Sequence, residues 1–269
     1  MIPSEILDFY GLGLEEHRLD ASFGRLERIR TWDILERHLP PPPARVLDVG
    51  GGTGVYALPL SARGYDVHLI DAVPLHVERV QQLSAKSGAA LVHAEVGDAR
   101  SLSTRDSTAD VVLLFGPLYH LTERGDRIAA LREANRVLKA GGLLLSAYIS
   151  RFASACDGIR GGALRHSAFP EIVHQDLRNG VHHNPTGRPD WFTTAYFHRP
   201  EEVAPELEEA GLRFDALIAV EGPGWFNDQL DSWLDDEDGR NRLLDVLRRL
   251  EREPALLGAS AHWLAVARR

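Results

Sequence analysis

The sequence predicts an α/β fold, a doubly wound and mostly parallel seven-stranded sheet with helices on both faces. Short apolar runs alternate with amphipathic helical segments through most of the 269 residues. Continuous apolar strands separated by helices are typical of a parallel sheet that is covered on both faces. A glycine-rich turn directly follows the first of these strands, and the carboxyl ends of parallel strands form the ligand-binding edge of such sheets.

The elements follow in order along the chain. Apolar spacing predicts a helix over 23–39, which ends at four consecutive prolines because proline lacks the amide N–H and restricts the residue before it. The predicted elements that follow are strand 45–49, strand 65–70, helix 74–87, strand 90–94, strand 109–115, helix 123–138, strand 143–149, helix 200–210, strand 214–220, helix 240–250 and strand 261–267.

The bulk composition excludes several classes of protein. The formal net charge of −9 opposes nucleic-acid binding, which needs clustered Lys and Arg. Cys156 is the only cysteine, which excludes an internal disulfide and a multi-cysteine metal or iron–sulfur site. No apolar run approaches the ~20 residues that span a bilayer, and the N-terminus lacks the basic start and apolar core of a secretion signal. We therefore expect no nucleic-acid or membrane partner and a cytoplasmic location.

The glycine-rich turn and the carboxylates around it predict a site for a nucleoside. Gly50–Gly54 lets a ligand approach the backbone because no Cβ stands in the way. Asp71 ends the second strand about 20 residues further on, where a carboxylate can accept both hydroxyls of a ribose. Asp48 lies inside the first strand and Asp98 follows the third. A carboxylate beside the loop suits a ligand with an ammonium and a sulfonium, and it opposes a pyrophosphate.

These residues resemble the motifs of class I S-adenosylmethionine-dependent methyltransferases. The resemblance covers about residues 24 to 149, and it is specific because five motifs stand in the correct order and spacing. The five are Val46–Gly54, Leu69–Asp71, Gly97–Ala99, Asp110–Leu121 and Gly141–Leu143.

The resemblance implies S-adenosylmethionine as cofactor and S-adenosylhomocysteine as product. The glycine loop would lie against the methionine part, with Asp48 near its ammonium. Asp71 would bind the ribose and Asp98 the adenine edge, and either Arg18 or Arg25 would donate to the methionine carboxylate. The cofactor-binding residues that the resemblance implies are Asp48, Gly50, Gly51, Gly52, Asp71, Ala72, Asp98, Ala99, Phe115 and Gly116.

The methyl acceptor is expected beside the fourth strand, where the family places residues between cofactor and acceptor. Tyr119 and His120 follow that strand, and His120 is the candidate to contact the substrate or to act as a base, since histidine accepts a proton near neutral pH. The structural alternative is that Tyr119 packs and His120 caps the next helix. Further candidates for the acceptor site, with packing as the alternative, are Tyr10, Tyr196, His198 and Trp225.

No metal site is predicted. His174, Asp176, His182 and His183 match no recognised ligand spacing, and adjacent histidines cannot easily share one ion. Solvated or hydrogen-bonded side chains are the expected state of these residues.

The expected organisation and function follow from these patterns. We expect an N-terminal helical cap over 1–40, a cofactor-binding core over 41–149, an insertion over 150–200 that forms an acceptor-site lid, and completion of the sheet by 201–269. The expected activity of this monomer or homodimer is methyl transfer to O, N or C of a small molecule by in-line displacement. An NAD(P)-dependent oxidoreductase and an aminopropyltransferase that uses decarboxylated S-adenosylmethionine are the alternatives, because both use similar glycine loops.

Overall fold

The computed structural model describes residues 4–11, 13, 19–20, 22–87 and 92–269. Among these residues, no helix has both the length and the apolar character needed to cross a membrane. The helices and strands are α1 Ser4–Gly11, α2 Ser22–His38, β1 Arg45–Val49, α3 Ala57–Ala62, β2 Asp66–Asp71, α4 Pro74–Ser87, β3 His93–Val96, β4 Ala109–Leu114, α5 Pro117–His120, α6 Arg124–Val137, β5 Leu138–Ile149, α7 Ala153–Gly161, α8 Phe169–Asn179, β6 Val181–His182, β7 Ala195–Tyr196, α9 Pro200–Glu209, β8 Arg213–Ala219, α10 Leu230–Asp235, α11 Glu237–Leu250 and β9 His262–Arg268.

Seven strands form one sheet in the order β3-β2-β1-β4-β5-β9-β8. The first five in this order pair in parallel, and β9 runs antiparallel to both β5 and β8. Leu47 and Val112 belong to the apolar core on one face, whereas Val46 and Val111 belong to the core on the other. Because successive strand residues point to opposite faces, continuous apolar strands fill both cores. The predicted doubly wound, mostly parallel sheet is confirmed.

Some predicted boundaries differ from those in the structure. The third strand was predicted over 90–94 and lies at His93–Val96, while 90 and 91 lie outside the described residues. The fifth strand begins at Leu138 rather than at 143, because Leu138 pairs with Ala109 before the register shifts. Helix α5 was not predicted; it is a single turn with Pro117 at its first position, where proline is favoured.

The insertion over 150–200 contains regular structure that its sequence pattern did not reveal. Helices α7 and α8 precede a short hairpin of β6 and β7. Phe169, Ile172, Val173 and Trp191 form its own small apolar core. A residue bridge between Ser150 and His198 ties the end of the insertion to the end of β5. The insertion therefore packs as a compact unit beside the ligand edge of the sheet.

Helix α2 is fixed against the end of β8 by one buried arginine. Arg30 is fully buried, and its guanidinium contacts Asp33 and lies 2.6 Å from Glu251 Oε2. Its Nε–H also donates to the Val220 carbonyl oxygen at 3.0 Å. Removing one partner from a buried ion pair costs about 3–5 kcal/mol. This anchor sets which face of α2 is turned toward the ligand edge.

Candidate functional site

A deep cleft opens at the carboxyl edge of the sheet. Its empty volume, including the open mouth, is about 1470 Å³. The cleft brings together nearly all the residues that the motifs single out, because the ends of β1, β2, β3 and β4 meet at this edge. Of the predicted cofactor-binding set, those that line it are Gly50, Gly51, Gly52, Asp71, Ala72, Asp98, Ala99, Phe115 and Gly116.

The glycine loop forms the floor of the cleft from bare backbone. Gly50 has φ +75°, and a Cβ at this position would lie 2.4 Å from Pro117 Cδ, so the loop packs directly on the turn after β4. The Gly50 N–H donates to the Ile70 carbonyl oxygen at 2.7 Å. Gly52 has φ +54°, and a Cβ there would meet nothing within 4 Å. The backbone at Gly52 therefore faces open space that a ligand can fill.

Asp71 is held against this loop at the end of β2. Its Oδ2 accepts the Gly52 N–H at 2.8 Å, and its Oδ1 accepts the Val73 N–H at 2.9 Å. The Nδ1 of His76 lies 3.1 Å from the same Oδ1. A carboxylate offers about four acceptor positions, so Asp71 is oriented by its neighbours and retains capacity for a ligand hydroxyl.

Asp48 lies beneath the loop and outside the set of residues that line the cleft. It is fully buried, and a Cβ at Gly51 would lie 2.7 Å from its Oδ2. Burial and, to a smaller extent, the nearby Asp71 raise the pKa of Asp48 to about 7. The carboxyl group is thus separated from the cleft by the loop backbone, and any charge it carries acts on a ligand through that backbone.

Asp98 is an ionised carboxylate on the β3 side of the cleft. Arg100 donates to it from two nitrogens, with Nη2 at 2.6 Å from Oδ2. This hydrogen bond holds the pKa of Asp98 below its usual value. A second carboxylate, Asp126, lies 2.7 Å from Arg100 Nη1. Arg100 therefore orients Asp98, and it forms a second ion pair with Asp126.

The cations predicted for the methionine carboxylate do not line the cleft in the part of the chain that the structure describes. Arg25 Nη1 donates to Asp235 Oδ1 at 2.6 Å, and this contact joins α2 to α10. Arg18 lies outside the described residues. Thr31 and Thr53 line the cleft and offer hydroxyl donors instead.

Tyr119 and His120 line the cleft from α5. The His120 Nδ1 lies 3.3 Å from the Thr194 carbonyl oxygen, and its Nε2 lies 2.5 Å from the hydroxyl of Tyr10, which also lines the cleft. A carbonyl only accepts, so we assign the hydrogen to Nδ1 and the lone pair to Nε2. Burial lowers the pKa of His120 to about 4. His120 is therefore neutral, and its Nε2 accepts a hydrogen bond from the Tyr10 hydroxyl.

The other three predicted acceptor-site residues lie within the scaffold. The ring of Tyr196 lies 3.8 Å from the Arg127 guanidinium carbon. His198 is fully buried, with Nε2 at 3.3 Å from Glu206 Oε2. The indole N–H of Trp225 donates to a backbone carbonyl oxygen at 2.8 Å. Each of the three is engaged by neighbours in the scaffold, outside the set of residues that line the cleft.

The histidines of the insertion also have structural partners. His182 is buried, with Nδ1 at 2.9 Å from Asp176 Oδ2 and Nε2 at 2.9 Å from the Trp191 carbonyl oxygen. His174 is exposed on α8. Among the described residues, the groups with ligand atoms close enough for one metal ion are instead His68 with His93 and Glu95, and Glu27 with Glu221 and His262.

The second of these groups was missed in the sequence. Glu27 from α2 and His262 from the start of β9 both line the cleft. The His262 Nδ1 lies 2.6 Å from Glu221 Oε1. Neither residue carried a signal in the sequence. His262 lies at this edge because β9 runs antiparallel to β5, and the position of Glu27 depends on how α2 packs.

The chain is similar in sequence to known methyltransferases. Residues 46–142 match a family model described as a methyltransferase domain. The ubiquinone biosynthesis O-methyltransferase of Methylocella silvestris is 28% identical over 246 residues, which are 83% of this chain and 88% of that protein.

Solved structures share the fold. A putative S-adenosylmethionine-dependent methyltransferase from Listeria monocytogenes has a TM-score of 0.61 at 16% identity, with 91% of this chain and 98% of that chain covered. The [4+2]-cyclase SpnF has a TM-score of 0.58 at 19% identity, with 93% and 83% covered. At these identities the likeness concerns the fold, and one fold hosts more than one reaction.

Proposed function

We propose, from the premise that the chain belongs to the class I S-adenosylmethionine-dependent methyltransferases, that the cleft aligns this cofactor with a small molecule and transfers the methyl group to it. The observation that carries the proposal is the convergence of bare loop backbone with the oriented carboxylates Asp71 and Asp98 in one cleft. A nicotinamide dinucleotide fits less well, because its pyrophosphate would meet the Asp71 carboxylate beside the loop.

Most of the cofactor-binding residues predicted from the sequence line the cleft, and we assign each to a part of the cofactor. We assign Gly50, Gly51 and Gly52 to the methionine part, with the carbonyl oxygens of Phe115 and Gly116 accepting from its ammonium. Asp71 would accept the ribose hydroxyls, Ala72 would lie beside the adenine, and Asp98 and Ala99 would bind the adenine edge. When bound, the cofactor supplies an electrophilic methyl group on a sulfonium cation.

The protein contributes alignment and charge. Holding two reactants in near-attack geometry can supply about 7–11 kcal/mol of the barrier. Asp71, Asp98 and Glu27 line the cleft, so the cleft attracts a cation and holds a neutral product less strongly. No nucleophilic side chain is needed for an in-line displacement.

We assign Tyr119 and His120 to the boundary between cofactor and acceptor. The neutral His120 presents Nε2 as a hydrogen-bond acceptor, and the Tyr10 hydroxyl occupies that position in this structure. The insertion packs against His120, since the centroid of the Phe192 ring lies 5.7 Å from that of the His120 ring.

The proposal extends to organisation and to the acceptor. We divide the chain into a cap over 1–40, a core over 41–149, a lid over 150–200 and a completing segment over 201–269. The partner is a small-molecule acceptor, and the chain acts as a cytoplasmic monomer or homodimer. The O-methyltransferase named for Methylocella silvestris aligns over most of this chain, which favours oxygen as the acceptor atom.

Binding of S-adenosylhomocysteine tests the proposal. We expect calorimetry to detect its association with the wild-type protein, and Asp71→Asn to weaken it about 10- to 100-fold, because a hydrogen bond to a charged group is worth about 1.5–3 kcal/mol. Asp66→Asn is the matched control, since Asp66 lies on the same strand with a side chain that is 76% exposed. A rise in melting temperature with NADPH but none with S-adenosylhomocysteine would contradict the proposal.

A further inference from the structure

Three side chains from distant parts of the chain meet at the end of the cleft away from β2. His262 begins β9, Glu27 projects from α2, and Glu221 follows β8. Glu221 is fully buried, and its Oε2 accepts the Ser260 hydroxyl at 2.9 Å and the His262 backbone N–H at 3.0 Å. Its Oε1 lies 2.6 Å from His262 Nδ1. The carboxylate is thus fixed by donors on both oxygens and holds the imidazole ring in one orientation.

This contact defines which nitrogen of His262 is basic. A carboxylate only accepts, so Nδ1 carries the hydrogen and Nε2 carries the lone pair. Glu27 Oε2 lies 3.7 Å from the same Nδ1. When Nε2 takes a proton, the positive charge on the ring is therefore stabilised by two carboxylates.

The other two histidines of the cleft are placed for different tasks. His120 donates to a backbone carbonyl and accepts a tyrosine hydroxyl, and burial lowers its pKa to about 4, so it holds a proton poorly. His76 lies against Asp71, at the end of the cleft assigned to the ribose. His262 alone of these three combines a carboxylate partner with a position at the acceptor end.

The space between His262 and the end of β4 is wide enough for an acceptor with one small ring. Strand β5 lies between β4 and β9, and strands are about 4.8 Å apart, so the first residue of β9 lies roughly 10 Å across the sheet from the end of β4. Ala147 of β5 and Leu264 of β9 line the cleft in this region, as do His262 and Phe115.

We propose that His262 accepts the proton of the methyl acceptor, with Glu221 as the positioning residue, and that the acceptor is a weakly acidic hydroxyl such as a phenol; this rests on the proposed function. The O–H bond breaks and its proton forms an N–H bond at Nε2. The electron pair left on oxygen forms the O–CH₃ bond while the methyl–sulfur bond breaks and its pair stays on sulfur.

The hydroxyl class follows from what such a base is needed for. A phenol has a pKa near 10, so it is a weak nucleophile at neutral pH until a base takes its proton. A neutral amine attacks with its own lone pair and needs no base in that step.

The tautomer is tested without turnover by ¹⁵N NMR of the imidazole rings in the S-adenosylhomocysteine complex. We expect the His262 signals to show a hydrogen on Nδ1 and an unprotonated Nε2 above neutral pH, and Glu221→Gln to produce a mixture of tautomers. A wild-type complex with the hydrogen on Nε2 would overturn the proposal. Failure of the wild-type protein to bind S-adenosylhomocysteine would instead overturn the proposed function.

Turnover tests the role of the base with three probes, catechol, the more acidic 4-nitrocatechol and phenethylamine. We expect His262→Gln to lower kcat for catechol at least about 100-fold with unchanged affinity for S-adenosylhomocysteine, and to lower kcat for 4-nitrocatechol far less, because that phenol ionises by itself. Glu221→Gln should give a smaller loss and move the acid limb of the pH–rate profile. His174→Gln, on the exposed face of α8, is the control. Equal losses on both diphenols, or methylation of the amine alone, would refute the assignment.

Discussion

The two halves of the cleft are built from different parts of the molecule. The half that we assign to the cofactor, the cofactor half, consists of loop backbone and short carboxylates from strands β1 to β4, which follow one another in the sequence. The half that we assign to the methyl acceptor, the acceptor half, consists of long side chains that come from both ends of the chain and from α5, namely Tyr10, Glu27, His120 and His262. The first half is therefore fixed by local backbone geometry and the second by tertiary packing.

The difference predicts different responses to substitution. A backbone cradle leaves little room for any side chain, so a single Cβ can abolish binding there. A side-chain site tolerates changes of shape and responds through hydrogen bonds and charge. Three substitutions examine this contrast, beginning with the one expected to have the largest effect.

Gly50→Ala should give the largest loss. The left-handed φ of +75° costs a non-glycine residue about 1–2 kcal/mol, and a Cβ 2.4 Å from Pro117 Cδ adds about 1–3 kcal/mol of overpacking. We expect urea unfolding to show a loss of roughly 4 kcal/mol in stability and calorimetry to show no binding of S-adenosylhomocysteine.

Gly141→Ala is the matched control for this change. Gly141 has the same φ of +75°, but a Cβ there would meet nothing within 4 Å. It should cost only the backbone term of about 1–2 kcal/mol and leave cofactor binding intact. Equal losses at the two positions would mean that close packing of the loop on Pro117 does not matter.

Asp48→Asn should stabilise the protein at alkaline pH. Because the folded-state pKa of Asp48 is raised from 3.8 to about 7, the contribution of this group to stability is greatest below pH 4 and is lost as the pH rises through 7. Each pKa difference of one is about 1.4 kcal/mol, and a buried amide keeps part of the cost, so we expect a gain of roughly 3 kcal/mol at pH 8.5. The gain should vanish near pH 4 in urea unfolding.

Asp110→Asn supplies a control of opposite sign. Lys139 Nζ lies 2.7 Å from Asp110 Oδ1, and this hydrogen bond lowers the pKa of Asp110. The substitution should therefore destabilise the protein at pH 8.5. If Asp48→Asn also destabilised it there, the Asp48 carboxylate would have to be a favourable charge in the folded state.

Most of the fold was predictable from the sequence because each buried strand is a continuous apolar run. Apolar runs bounded by turn residues located β1, β2 and β4 to within one residue, and the order of motifs identified the sheet. Helices α7 and α8 were missed because their short apolar faces pack on one another and on Trp191, so no long period is visible. Helix α5 is a single turn, too short to show periodicity.

The candidate site divides in the same way. The cofactor half was predictable because ligand-facing backbone requires glycine and strand ends require carboxylates at fixed spacing. Tyr196, His198 and Trp225 were predicted for the acceptor half by residue type alone, and each contacts the scaffold instead. Glu27 and His262 were missed because only the packing of α2 and the pairing of β9 with β5 bring them to the cleft.

Of the three substitutions, His120→Gln should have the smallest effect on the free energy of unfolding, and that effect should appear at acid pH. Because burial depresses the folded-state pKa of His120 from 6.5 to about 4, its contribution is present above pH 6.5 and is lost as the pH falls toward 4. Glutamine does not titrate. The wild-type protein should therefore lose roughly 2 kcal/mol more stability than the variant between pH 7.5 and 4.5, measured by urea unfolding.

The exposed His174 is the control for His120. It shows whether the pH effect comes from burial of the imidazole or from replacing any histidine by glutamine. In His174→Gln, the same replacement is made at a histidine that is 67% exposed. If His120→Gln changed the pH dependence of stability no more than this control, then His120 would be protonated in the folded protein at pH 4.5 about as readily as in the unfolded chain. The contrast that we propose between a neutral hydrogen-bonding histidine and a carboxylate-supported base in one cleft would then no longer hold.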